Sequence, residues 1–254
     1  MVDILHIDKN TIPTLNKSVA CIGYFDGIHR GHQKLIFDAV NKAREKGLLA
    51  SLICFSPDPA EVIFHKKNPH LFPDEERFTI AASFGIDQII VIRFDEEFKD
   101  LEPESFIHDY LEKMNIEELI CGFDFSFGKY GKGTPELLKK TASFKVSEIK
   151  EEKYYGNKIS STRIKKCIEE GNFRLAGKLL GFPYYFILKQ ANDPHSKDNK
   201  ALCYILKDEN CLMPKDGKFH NLFEVKDGRF YLPFNEELKK KKKKTIKVIC
   251  DQHE

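Results

Sequence analysis

The sequence predicts an α/β protein: a parallel sheet covered on both faces by helices, with a small β-rich unit after it. Two observations predict it. In the first two-thirds of the chain, short apolar runs are separated by stretches whose apolar residues fall at helical spacing. Near Phe186 the texture changes to short apolar runs punctuated by Asp-Gly pairs.

The elements follow in order. Val19 to Phe25 (VACIGYF) reads as a buried strand. A helix follows with Leu35, Ile36, Ala39, Val40 and Ala43 on one face, and Gly47 closes it. Leu48 to Phe55 (LLASLICF) is a second strand, Pro73 to Phe84 a helix, and Asp87 to Phe94 (DQIIVIRF) a third strand. Glu104 to Lys113 is helical and Glu118 to Phe123 (ELICGF) is strand-like; helix, strand and helix continue toward Ser160. Beyond the polar loop ANDPHSKDNK, the runs ALCYIL, FHNLFEV and RFYLPF with Asp216-Gly217 and Asp227-Gly228 read as an antiparallel unit. The expected boundary lies near Tyr184 to Ala191, giving domains 1–186 and 187–254.

Composition bounds the function. The 254 residues suit one large domain, or a medium one with a small companion, and 41% hydrophobic residues suffice for a packed core. Net charge is +2, so any anion-binding role must be local. No apolar stretch approaches the roughly 20 residues that span a bilayer. The start, MVDILHIDKNTIPTLNKS, lacks the pattern of a secretory signal, so a cytoplasmic location is expected. None of the seven cysteines forms a C-x-x-C pair, and the reading is reduced thiols packed as small hydrophobes. Lys239 to Lys244 is a run of six lysines that could grip nucleic acid or anionic lipid. With Glu236 and Glu237 beside it, a solvated turn is the favoured reading and nucleic acid is disfavoured as a partner.

The most informative segment is GYFDGIHRGH, Gly23 to His32, which leaves the first strand and enters a helix. His29 and His32, three apart, share a helical face. Gly31 lets backbone approach a bulky anion, and the helix start supplies N–H groups and partial positive charge. This is a phosphate cradle flanked by two imidazoles, suited to phosphoryl or nucleotidyl transfer. The alternatives at this point are ordinary cap histidines or a shared metal ion. A second segment, ISSTRIK, places Ser160 and Ser161 as N-cap candidates, with Lys165 one turn after Ser161. It is either a capped helix or a second anion pole. FSPDP and CGFDFSFGK end the second and fourth strands, where a parallel sheet puts its ligand. Their aromatics are core residues or stacking surfaces for a flat heterocycle, and Asp124 is a plausible hydrogen-bond acceptor or water-mediated magnesium contact.

Taken in order, G-x-F-D-G-x-H-x-G-H, F-x-P-x-P, G-x-D-F-x-F-G-K, I-S-S-T-x-I and LAGKLLGFPYY resemble the FAD synthetase (FMN adenylyltransferase) module of prokaryotic bifunctional riboflavin kinase/FAD synthetases, over about residues 18–186. The resemblance implies a Rossmann-like sheet of the nucleotidyltransferase type. It implies ATP and FMN as substrates, FAD as product, and Mg²⁺ on the ATP phosphates, with no metal ligand assigned to the protein. His29, His32 and Lys165 carry over as catalytic residues. Gly23, Phe25, Asp26, Gly27, Gly31, Ser160, Ser161, Thr162 and Arg163 carry over toward the nucleotide, and Phe55, Pro57, Asp58, Asp124, Phe125 and Phe127 toward the flavin. The family usually has asparagine where Tyr24 stands, and arginine where Ser126 and Lys165 stand. After Pro183 the chain has no G-R-x-x-G-x-P-T-A-N, the riboflavin kinase string, so the C-terminal region is expected to be a degenerate or shortened barrel without kinase activity. Two other functions fit the same residues: adenylyl transfer to another phosphorylated acceptor, and a flavin- or nucleotide-binding regulator.

Overall fold

The computed structural model describes residues 2–191, 201–219, 222–233 and 245–250. The chain forms two compact units. The first holds the described residues up to Asn68 together with Asp74–Ile159; the second holds Pro69–Pro73 and the described residues from Ser160 onward.

The first unit is a six-stranded, all-parallel sheet. Its elements are β1 (Asp3–Ile7), β2 (Ser18–Ile22), α1 (Arg30–Lys46), β3 (Leu49–Ser56), α2 (Pro59–Phe64), α3 (Asp74–Ser83), β4 (Gln88–Arg93), α4 (Glu96–Lys99), α5 (Pro103–Asp109), β5 (Ile116–Gly122), α6 (Pro135–Thr141) and β6 (Lys145–Ile149). A two-stranded ribbon, β7 (Lys153–Tyr154) and β8 (Asn157–Lys158), follows. The strand order is β1-β4-β3-β2-β5-β6. From β2 the chain winds outward through β3 and β4, then returns to the other side of β2 to lay down β5 and β6. The winding therefore reverses between β2 and β5, and the loops leaving their carboxyl ends flank the crevice where such sheets bind ligands.

Alternation along the central strands sends Ala20, Ile22, Ile53, Ile90 and Ile92 to one core, and Val19, Cys21, Leu52, Cys54, Ile89 and Val91 to the other. Every residue of β2 is buried, the burden of a central strand covered on both faces. The described cysteines are all free and buried, as the spacing predicted. Glu118, fully buried at the start of β5, accepts from Lys42 at 2.8 Å, Lys46 at 3.2 Å and the Ser147 hydroxyl at 2.7 Å. These partners draw its carboxyl down to about 2 against the opposing cost of burial.

The second unit contains α7 (Ser161–Glu169), α8 (Phe173–Leu180), β9 (Tyr185–Gln190), β10 (Ala201–Leu206), β11 (Gly217–Phe219), β12 (Phe223–Lys226), β13 (Arg229–Pro233) and β14 (Thr245–Ile249). The six strands form an antiparallel sheet in the order β11-β12-β13-β10-β9-β14. The predicted Asp227-Gly228 turn joins β12 to β13. Asp216-Gly217 is not a turn between paired strands: Gly217 opens β11, and the Asp216 carboxylate accepts from the Asp227 N–H at 3.2 Å.

Further features depart from the sequence expectation, among them the short helices α2 and α4, which were not predicted. Strand β1 was not predicted; it is short, half polar and edge-placed, so only Ile7 is fully buried. The β7–β8 ribbon stands between β6 and α7, where no strand pair was read. The compact units divide at Ile159/Ser160 rather than near 186. The reason is packing: Phe173 of α8 lies within 5.9 Å, ring centre to ring centre, of Phe186, Phe219 and Phe223, so α8 joins the core of the antiparallel sheet, and α7 packs on α8. The six-lysine run falls outside the described residues.

Candidate active site

Strand β2 ends at Ile22, and the Gly23 N–H carries the pairing one residue further, donating to the Ile53 carbonyl at 3.1 Å. The backbone then turns sharply. Phe25 (φ 61°), Gly27 (φ 82°) and Ile28 (φ 45°) all occupy the left-handed region. Glycine does so freely; a phenylalanine and an isoleucine do so at a cost that the surroundings must meet. Both are fully buried, as are Asp26 and Gly27.

The turn delivers His29 to the start of α1. His29 is not in the first helical turn, as the spacing suggested, but caps it with extended backbone, and its Nδ1 accepts from the His32 N–H at 3.3 Å. That hydrogen bond makes Nδ1 the acceptor and leaves the ring proton on Nε2. The two imidazoles nonetheless come together: their centroids are 3.7 Å apart and their planes 14° from parallel. The Phe25 ring stands edge-on to His32 at 5.2 Å. The space over Gly31 is occupied by this pair, since a Cβ there would lie 3.2 Å from the His29 ring. Gly31 thus makes room for His29 before it makes room for any ligand.

Burial holds both rings neutral. The His29 imidazolium is pushed down to about 4, chiefly by desolvation, with Lys158 adding to the shift and Asp124 opposing it. His32 is lowered well below the ordinary histidine range by burial, then by His29 and Arg77. Its Nδ1 is enclosed with no hydrogen-bond partner among the described residues.

The loop after β5 carries Asp124, whose carboxylate pairs with Lys158 of the ribbon. The Lys158 ammonium also lies 5.0 Å from the Phe123 ring centre. Phe125 stacks on Phe127 at 5.5 Å. Phe127 is buried against Phe106, and Phe55 against Phe94 and Phe98, so both rings are packed in the core. Asp58 is buried too; it caps α2 through the Ala60 N–H at 2.8 Å and accepts from the Asn68 amide at 2.7 Å. Pro57 follows Ser56 through a cis peptide bond at the end of β3.

Ser160, Ser161, Thr162, Arg163 and Lys165 belong to the second unit. The Ser160 hydroxyl caps α7, accepting from the Arg163 N–H at 3.3 Å, while Thr162 is exposed and Lys165 half-buried. Among the described residues no group of three or more His, Cys, Asp or Glu side chains is arranged to hold a metal ion. None of their helices is long and apolar enough to cross a membrane.

Two contributors to the site were missed in the sequence. Lys158 directly precedes the Ile159–Ser160 motif and could have been read with it. Arg77, inside a helix with no motif around it, gave no signal.

Comparison with known proteins bears on the same residues. The family profile for FAD synthetase matches residues 11–163. The chain is 38% identical over 174 residues to a bifunctional riboflavin kinase/FMN adenylyltransferase from Listeria monocytogenes, covering 67% of this chain and 55% of that one. It is 38% identical over 173 residues to the protein of the same name from Bacillus subtilis, covering 66% and 55%. The Escherichia coli K12 protein of that name is 33% identical over 171 residues, covering 65% and 55%. The chain spans about half the length of the curated relatives it matches. A solved structure from Streptococcus pneumoniae, named a macrolide-efflux protein, superposes with a TM-score of 0.84 at 26% identity, over 100% of this chain and 91% of that one.

Proposed function

The chain belongs to the FAD synthetase family, and from that premise we propose that it transfers the adenylyl group of ATP to FMN, giving FAD and pyrophosphate. An oxygen of the FMN phosphate attacks the α-phosphorus of ATP. A new phosphorus–oxygen bond forms, the α–β bond breaks, and the electron pair leaves with pyrophosphate. No covalent enzyme intermediate is needed. The protein supplies position and charge stabilisation.

The observation that supports this reading is the stacked His29–His32 pair at the start of α1, beside the point where the sheet's winding reverses. Kept neutral by burial, an imidazole with its proton on Nε2 is a hydrogen-bond donor of fixed direction. It meets charge as it develops on the phosphoryl oxygens without first surrendering a solvation shell. The helix N-terminus adds to the same field. Gly23, Phe25, Asp26, Gly27 and Gly31 shape this cradle. Ser160, Ser161, Thr162, Arg163 and Lys165 are assigned to the phosphates. Asp124 and Phe125 are assigned to the flavin side, with Phe55, Pro57, Asp58 and Phe127 forming the wall behind it. The nucleotide is expected as its magnesium salt, because phosphate oxygens and waters satisfy Mg²⁺ without a protein cage.

We also assign adenylyl transfer without riboflavin phosphorylation, on the missing kinase string after Pro183. Purified protein given FMN, ATP and Mg²⁺ is expected to yield FAD and pyrophosphate by chromatography; given riboflavin in place of FMN it is expected to yield neither FMN nor FAD. No FAD in the first reaction overturns the adenylyl assignment, and FMN in the second overturns the kinase assignment alone.

A further inference from the structure

Arg77, in α3, is 3% exposed. A buried guanidinium needs partners for most of its donors and an offset for its charge. Here Nη1 donates to the backbone carbonyl of Tyr24, and Nη2 to Asp74 Oδ1 at 2.7 Å. Asp74 Oδ2 in turn accepts from the hydroxyl of Ser56, the last residue of β3, at 3.2 Å. The guanidinium carbon sits 4.9 Å from the Tyr24 ring centre and 5.4 Å from that of Phe78. Nε is enclosed without a hydrogen-bond partner among the described residues. The group therefore ties the end of β3, through α3, to one peptide of the loop after β2.

That peptide carries the strain of the site. The Tyr24 carbonyl immediately precedes Phe25, the first of the left-handed residues, and Ile28 at the far end of the turn is left-handed as well. Such conformations in non-glycine residues persist only where neighbouring structure over-determines them. Phe25 carries the consequence forward: its ring abuts His32, and His32 stacks on His29. Relaxation of the turn would swing Phe25 and separate the imidazoles. The planar fork of an arginine can bind a carbonyl and a carboxylate together while its face lies against an aromatic ring; a lysine ammonium cannot. Tyr24 supplies that ring where the family usually has asparagine.

We propose that Arg77 is a positioning residue for adenylyl transfer, gripping the Tyr24 peptide and ring so that the Phe25–Ile28 turn keeps its left-handed shape and the His29–His32 stack is held ready for the triphosphate. Its kinetic part rests on the function proposed above.

The test separates the two. In the free protein, face-to-face stacking shifts the Cε1 protons of His29 and His32 upfield. In Arg77→Met these NMR signals are expected to move toward ordinary histidine positions. In steady-state assays with FMN and MgATP, Arg77→Met is expected to lower kcat about 100-fold with KM for ATP changed less than about threefold, because the loss falls on the transition state. Arg77→Lys and Tyr24→Asn are expected to lower kcat about 10-fold each. These milder variants carry the test if Arg77→Met does not fold. Histidine signals and kcat both unchanged in a folded Arg77 variant overturn the proposal. Shifted histidine signals in a protein whose wild type makes no FAD leave the positioning role standing and overturn the adenylyl assignment instead.

Discussion

At the residue scale, the proposed chemistry rests on two imidazoles, His29 and His32, that burial keeps neutral. Replacing either His29 or His32 with Asn is expected to lower kcat/KM for FAD formation by about 10²–10³, the usual effect of removing one pre-placed donor. Stopped assays with FMN as acceptor measure it. The same burial links stability to acid. His29 is held down to about 4 in the folded chain against an ordinary 6.5, so below pH 6.5 the unfolded chain takes up a proton that the folded one refuses. Its contribution is full above pH 6.5 and is lost as pH falls toward 4, amounting to something on the order of 3 kcal/mol. Urea unfolding of wild type and His29→Asn at several pH values checks it. Wild-type stability should fall more steeply than the variant's between pH 6.5 and 4, and parallel curves would refute the linkage. The histidines themselves were legible in the sequence as a pair three residues apart. Their stacking was not, because it depends on left-handed backbone at Phe25 and Ile28, which residue types other than glycine do not signal.

At the element scale, the site depends on where α1 and β5 begin. Glu118 anchors the start of β5 to Lys42 and Lys46, at the opposite end of α1 from the histidines. Glu118→Ala leaves those ammonium groups without their buried acceptor and is expected to cost about 2 kcal/mol of folding free energy, read by chemical denaturation. Its folded carboxyl lies near 2, so this support is complete above the ordinary glutamate value of 4.5 and fades as pH drops through 2. Gly128 makes a sharper prediction in the loop after β5. It has φ of +68°, and a Cβ there would lie 2.8 Å from the Pro103 ring and backbone nitrogen. Gly128→Ala should therefore destabilise by more than about 1 kcal/mol, visible as a lowered Tm. The longer helices α1 and α3 and the central strands were readable because their apolar residues recur at fixed periods, while the short α2 and α4 were not read. Strand β1 and the β7–β8 ribbon were not, since a half-exposed edge strand and a pair of two-residue strands bury too little to leave a pattern.

At the scale of the whole molecule, the residues of the proposed site are distributed over the two units. The parallel sheet carries the histidine turn and the Asp124 loop; the antiparallel unit carries the Ser160–Lys165 segment. The sequence boundary near 186 tracked a change in texture, from long helical periods to short strands. The observed division at Ile159/Ser160 tracks where α7 and α8 find their apolar partners, and contacts between segments far apart in the chain are invisible to local periodicity. The S. pneumoniae structure, whose match covers 100% of this chain, includes a counterpart of the antiparallel unit.

The sequence by itself determined the α/β class, the order of most elements and the family, and it singled out the histidine motif. These are written in local patterns: apolar period, turn residues and fixed motif spacing. Only the tertiary structure decided that His29 caps rather than continues its helix, that the two rings stack and stay neutral, and that Arg77 reaches the motif from another helix. Each of these depends on desolvation or on groups distant in sequence meeting in space. Burial and long-range contact are properties of the folded chain, and no window of residues contains them.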